Sequence, residues 1–142
     1  MKNQREIEFR AWDKINKRMV NVDGFSGLEK DDSREFKYIT CSQGVIDWKD
    51  IILMQFTGLL DKNGKKIFEG DIVRTDSFYS QKLKNYIVRW DKYAAWHDLR
   101  CIEDKDDVEF LGTGVQNVTL YSSSEYNREV IGNIFENPDF LN

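Results

Sequence analysis

The stretch Gln55-Phe-Thr-Gly-Leu-Leu-Asp-Lys-Asn-Gly-Lys-Lys-Ile-Phe-Glu-Gly-Asp-Ile-Val-Arg74 reads as a hairpin, a tight bend and a new strand. Asn63-Gly64 supplies residues that tolerate positive φ between apolar runs, the strongest short-range hairpin signal. Leu53, Met54, Phe56 and Leu59 precede this turn, and Ile67 and Phe68 follow it. Gly70 then allows a bend where a Cβ would clash, and Asp71 can cap that bend with its carboxylate. Ile72 and Val73 are β-branched and restart a strand. Short strands joined by tight bends suit a small, strongly curved sheet of the kind that closes into a barrel.

Working outward, Ile7, Phe9 and Ala11 alternate with Glu6, Glu8 and Arg10 at strand period. Lys14–Lys17 is the expected turn, and Met19, Val20 and Val22 the returning strand. Residues 23–35 read as a loop. Phe36–Thr40 is an expected short strand, and Val45–Phe56 a buried one. Tyr86–Trp90 is a strand by composition, and Ala94–Leu99 another strand or a helical turn. Val108 to Leu111 and Val118 to Tyr121 are further strand candidates, and Ser122–Glu125 a loop or a short capped helix. Val130 to Phe135 is the last strand. Asn137-Pro138 then reads as N-cap and first position of a closing helical turn, with Phe140 and Leu141 folded back on the core. The expected division is an N-terminal β-hairpin region, 1–50, and a small β-barrel domain, 51–142.

The chain of 142 residues can bury about two-thirds of its unfolded surface, so a core needs no metal or disulfide. Aromatics make up 13% of it, which excludes a disordered chain. It has no apolar run of about 18 residues, and the polar start Met-Lys-Asn-Gln-Arg-Glu is no signal peptide. The expectation is a soluble cytoplasmic protein in which Cys41 and Cys101 are plain buried thiols. Net charge is −4, unevenly spread: residues 1–20 and 51–102 are mildly basic, residues 21–50 acidic and 103–142 strongly so. Segments of opposite sign can offset each other within one fold or between subunits.

Three segments together resemble the YopX family of phage and prophage proteins. They are Phe9-Arg-Ala-Trp-Asp-Lys14, Phe56-Thr-Gly-Leu59 through Val73, and Val130-Ile-Gly-Asn-Ile-Phe-Glu-Asn-Pro138. The resemblance implies a C-terminal β-barrel of the Src-homology-3 type and a smaller β-containing N-terminal part. It also implies a phage origin, an unassigned function and self-association. It carries no catalytic residue across.

Chemistry is mostly excluded. His97 is the one histidine, and with Cys41 and Cys101 it gives only three Cys/His candidates, Cys41 far removed from the other two, which is no usual zinc set. No nucleophile motif surrounds His97, which reads as a surface or interface residue. Gly58 and Gly64 stand one residue too far apart for a phosphate loop, and Lys66 stands where Ser or Thr should hold magnesium. Gly112-Thr-Gly114 lacks a third glycine, and Glu109 occupies the glycine position of a calcium loop begun at Asp104. No catalytic, cofactor or metal residue is expected.

A candidate binding surface survives: Lys82, Lys84, Tyr86, Arg89, Trp90, Lys92, Tyr93 and Arg100 interleave cations with aromatics. Its bland alternative is that the aromatics fill the core and the lysines solvate the opposite face. The expected function is a non-enzymatic, homo-oligomeric interaction module, with a phage or host protein as a further candidate partner. The alternative is a nucleic-acid-binding accessory protein of phage replication or expression.

Overall fold

The computed structural model describes residues 4, 6–27, 36–76, 82–92, 96–103, 108–110 and 127–142, with the side chains of Trp96 and Val108–Phe110 left aside. The second glycine pair, the 118–121 strand and the 122–125 segment expected from sequence lie outside them. The described protein is mainly β and divides into two compact units, Met1–Gln55 and Phe56–Asn142. That division falls within strand β6 (Ile51–Leu60), a few residues beyond the 50/51 boundary read from sequence.

In the N-terminal unit, β1 (Phe9–Asp13) pairs antiparallel with β2 (Arg18–Asn21) and with the first half of β6. The turn expected at Lys14–Lys17 is locked by Asp13. Its Oδ1 accepts from the Ile15 and Asn16 N–H groups, both at 3.0 Å. Lys17 takes the left-handed conformation that ends the turn, φ 52°. A three-stranded meander follows: β3 (Gly24–Ser26), β4 (Tyr38–Cys41) and β5 (Gly44–Asp47). Part of the region read as loop, 23–35, is thus strand. Ala11, Val20, Ile39, Cys41 and Ile51 form the core, with Val22, Phe25, Ile46 and Leu53 against it.

The expected single buried strand from Val45 to Phe56 is broken. A 3-10 turn at Trp48–Asp50 separates β5 from β6, opened by Asp47, whose carboxylate accepts from Lys49 N–H. Val45 is 63% exposed rather than buried. Apolar composition made the run look continuous, but Asp47 competes for backbone N–H groups and stops the strand.

In the C-terminal unit the second half of β6 pairs with β7 (Lys66–Phe68). The loop between them departs from the two-residue hairpin that Asn-Gly suggests. Gly64 alone takes positive φ, 79°, and Asp61 organises a five-residue loop by accepting from Asn63 and Lys65 N–H at 2.8 and 2.9 Å. The bend at Glu69-Gly70 forms as expected: Gly70 has φ 79° and Asp71 accepts from Phe68 N–H at 2.8 Å. It launches β8 (Asp71–Asp76). Strands β9 (Leu83–Asp91), β10 (Trp96–Cys101), β11 (Val108–Phe110) and β12 (Glu129–Asn133) complete a curled antiparallel half-barrel sheet, in the order β11-β10-β9-β8-β12. Ile67, Val73, Tyr86, Val88, Leu99, Cys101 and Val130 are its core.

The closing 3-10 turn, Pro138–Leu141, starts at proline as read from sequence. Its cap differs: the Asn137 side chain makes no capping bond and instead accepts from Asn133 N–H at 3.1 Å. Leu141 is 43% exposed, so it does not fold back on the core as expected. Both cysteines are free and buried.

Candidate functional site

The polar side chains in the three segments that carry the resemblance are used to hold turns. Asp13 is fully buried and also accepts from Asn16 Nδ2 at 2.8 Å and Arg18 Nε at 3.3 Å. The Asn16 backbone N–H, foremost, holds its carboxyl below the ordinary 3.8. Burial opposes this, and the Asn16 side chain, Ile15 N–H and Arg18 reinforce it. Asp61 spans far more chain: its Oδ2 accepts from Val130 N–H at 3.0 Å. Burial raises the Asp61 pKa, but the N–H groups of Val130, Lys65 and Asn63 and the Lys65 charge outweigh it, leaving the carboxyl below 3.8. Thr57 Oγ1 donates to the Ile67 carbonyl at 2.8 Å and accepts from Leu59 N–H. Asn133 Oδ1 accepts from Phe135 and Glu136 N–H.

The candidate cation–aromatic surface is divided by the pleat of β9 and β10. Tyr86 is fully buried in the core and is no stacking platform. Arg89 is committed to Asp98, its Nε and Nη2 donating to the two carboxylate oxygens at 3.1 and 2.9 Å. Lys82 and Lys92 are exposed, and Lys84 and Arg100 half-buried. Tyr93 lies outside the described residues. Among the described residues of this surface, Trp90 alone keeps the exposure an aromatic platform needs, 49%.

Sequence placed His97 at the surface; it is 1% exposed. Register sets it opposite Trp90, whose ring meets it edge-on at 5.0 Å. Its Nε2–H donates to Glu69 Oε1 at 2.9 Å, while Nδ1 has no partner among the described residues. The pairing joins the Glu69-Gly70 bend to the sheet. A local motif gives no sign of it, since the two residues stand 28 positions apart. No group of three or more metal-ligating side chains occurs among the described residues.

The feature that sequence reading missed lies in the N-terminal unit. Phe36, Tyr38, Val45 and Trp48 are each roughly two-fifths exposed or more. Phe25 packs against Phe9, Phe36 and Trp48 with ring centroids 5.5, 5.2 and 6.2 Å away. The alternation Tyr38-Ile-Thr-Cys41 was the available signal. It turns Ile39 and Cys41 inward and so leaves Tyr38 and Thr40 on the other face.

The YopX family, described as YopX protein, matches residues 8–142. The chain belongs to the YopX family. Two solved structures are similar over nearly their whole length. Protein EF1440 from Enterococcus faecalis is 25% identical, with TM-score 0.58, covering 98% of this chain and 100% of its own. YopX from Bacillus subtilis is 18% identical, with TM-score 0.56 and coverages of 95% and 98%, a likeness of fold. No curated protein matches. Among the described residues of this YopX protein, no helix is long and apolar enough to cross a membrane.

Proposed function

We propose that this YopX protein is a non-enzymatic interaction module that associates with further copies of itself. The observation that carries the reading is the set of aromatic and β-branched side chains that the N-terminal unit leaves in water: Phe36 and Trp48 beside Phe25, and Tyr38 and Val45 on the opposite face of β4 and β5. Aromatic and β-branched side chains held in water on a small unit mark an interaction surface. The use of Asp13, Asp61, Asp71 and Asn133 as turn-holding acceptors supports a scaffold rather than a reaction centre. The opposed charges of successive chain segments supply complementarity between copies. Closure of the curled sheet into a Src-homology-3-type barrel belongs to the same reading, supported by the sharp bend at Gly70. The proposed setting is the cytoplasm of a bacterium carrying the phage or prophage that encodes it.

Absolute mass by light scattering, across protein concentration and salt, tests this. An oligomer that persists as salt rises is expected; a monomer throughout rejects self-association. A second reading, single-stranded nucleic acid binding, is favoured by exposed Trp90 beside exposed Lys92. It requires the mass to rise with an added random oligonucleotide at low salt and to fall back as salt increases.

A further inference from the structure

The three-stranded meander of the N-terminal unit ends at β5, which pairs with β4 on one side and with no strand on the other among the described residues. Its register runs Tyr38↔Asp47, Ile39↔Ile46, Thr40↔Val45 and Cys41↔Gly44. Just beyond it, Trp48 N–H donates to the Lys37 carbonyl at 2.7 Å. Antiparallel ladders alternate hydrogen-bonded and non-bonded pairs. With 37/48 bonded, 39/46 and 41/44 are the bonded pairs, whereas Val45 and Asp47 fall in the non-bonded ones. Their N–H and C=O groups therefore point to the open edge. The Val45 side chain is itself 63% exposed. Open edges are normally blunted by charge, proline or a bulge. Here the edge position carries valine, and the nearby Asp47 charge is met by Lys49 at 3.7 Å.

We infer that β5 is the self-association edge: it pairs antiparallel with β5 of a second copy about a two-fold axis through Val45, joining two three-stranded meanders into one continuous sheet. The inference rests on the self-association reading above and names its surface. Only outward-facing residues can exchange ladder bonds, which allows an axis on Val45 or on Ile46; the second sets Val45 against the Asp47 carboxylate, the first sets valine against valine and is the one assigned. With Val45 on it, the two valines exchange N–H···O bonds and cover each other's side chains on the exposed face. Asp47 then faces Gln43 of the second copy, and no charge faces a like charge. A two-fold pairing needs one self-complementary strand, and β5 is short, neutral at its centre and unblocked. A foreign peptide would find the same backbone groups but no charge pattern selecting it.

The test is Val45→Lys in the full chain, with Val45→Thr as the β-branched control, compared with wild type by light scattering and far-ultraviolet circular dichroism. The expected result is a roughly twofold loss of mass at unchanged dichroism for the lysine variant, with association kept by threonine. Amide exchange of the wild-type protein reads the same edge without a substitution: Val45 and Asp47 N–H should slow as concentration drives association. A wild-type oligomer that V45K leaves intact, or whose Val45 and Asp47 amides exchange at open-edge rates, overturns the inference and leaves self-association standing. A wild-type monomer at all concentrations overturns both.

Discussion

The two units treat their surfaces differently. The C-terminal unit binds its buried and half-buried charges locally: Arg89 holds Asp98, Glu69 accepts from His97, and Lys62 meets Glu129 at 2.9 Å. The N-terminal unit fixes its turns at Asp13 and Asp47 and leaves aromatic and β-branched side chains in water at β4, β5 and the Trp48 turn, whereas the described residues of the C-terminal unit expose Trp90 and three leucines. Satisfied polar groups stabilise a fold and leave little to offer a partner. Exposed apolar groups do nothing for the isolated unit and become useful on contact. The difference teaches that a search for the working surface should start in the N-terminal unit, although the more specific-looking motif lies in the other.

The largest effect expected on this contrast is Asp61→Ala. It strips acceptors from three N–H groups, Val130, Asn63 and Lys65, and should cost about 3 kcal/mol in urea unfolding. A loss no greater than that of a surface substitution would break the view of the C-terminal unit as locked through its polar groups. Next, Arg89→Leu leaves the Asp98 carboxylate, 3% exposed, without its cation. About 2 kcal/mol is expected, discounted because the arginine itself is partly in solvent. Chemical denaturation of R89L alongside an Arg89→Leu, Asp98→Leu double variant checks this, the double variant recovering part of the loss.

Acid titration sharpens the comparison, because one lowered carboxyl sits in each unit. Asp13 and Asp61 have folded-state pKa values below the ordinary 3.8. Their stabilisation is fully present above the unfolded value and is lost as pH falls through the folded one. Stability should therefore be insensitive to these two groups from neutral pH to about 5 and fall below about 4. Asp13→Asn should flatten the acid slope, as followed by urea midpoints across pH. The smallest effect is Trp48→Ser, which should cost about 1 kcal/mol or less of monomer stability, since the indole touches Phe25 but is 40% exposed. A clear loss in thermal unfolding would mean that the tryptophan serves the core rather than a partner.

Legibility in the sequence followed range. The bend at Gly70-Asp71 and the turn after Asp13 could be read because side chain and backbone partner lie within a few residues. The start of the last turn at Pro138 was equally local. What escaped was set by chain positions far apart. Asp61 looked like a loop residue, but its second oxygen serves Val130. His97 looked superficial, yet pairing with β9 carries it inside against Glu69. In β9 both pleat phases hold apolar residues, Leu83 and Ile87 on one and Tyr86, Val88 and Trp90 on the other, so period alone could not bury Tyr86. The exposure of Val45 and Trp48 was hidden for the opposite reason: an apolar run invites burial until Asp47 is seen to end it.

The Asp61–Val130 bond has a further consequence, for order of events on the ribosome. A chain emerging from its N-terminus can complete β1 to β5, and the hairpin about Asn63 can close, while the rest is still being made. The C-terminal unit cannot. Gly70 accepts from Ile134 N–H, β8 pairs with β12, and Asp61 receives Val130, so each closing contact awaits the final strand. During that interval the half-built sheet has an unpaired β8 edge. The late partner is thus a kinetic checkpoint: β12 must be made before this unit is protected from mispairing.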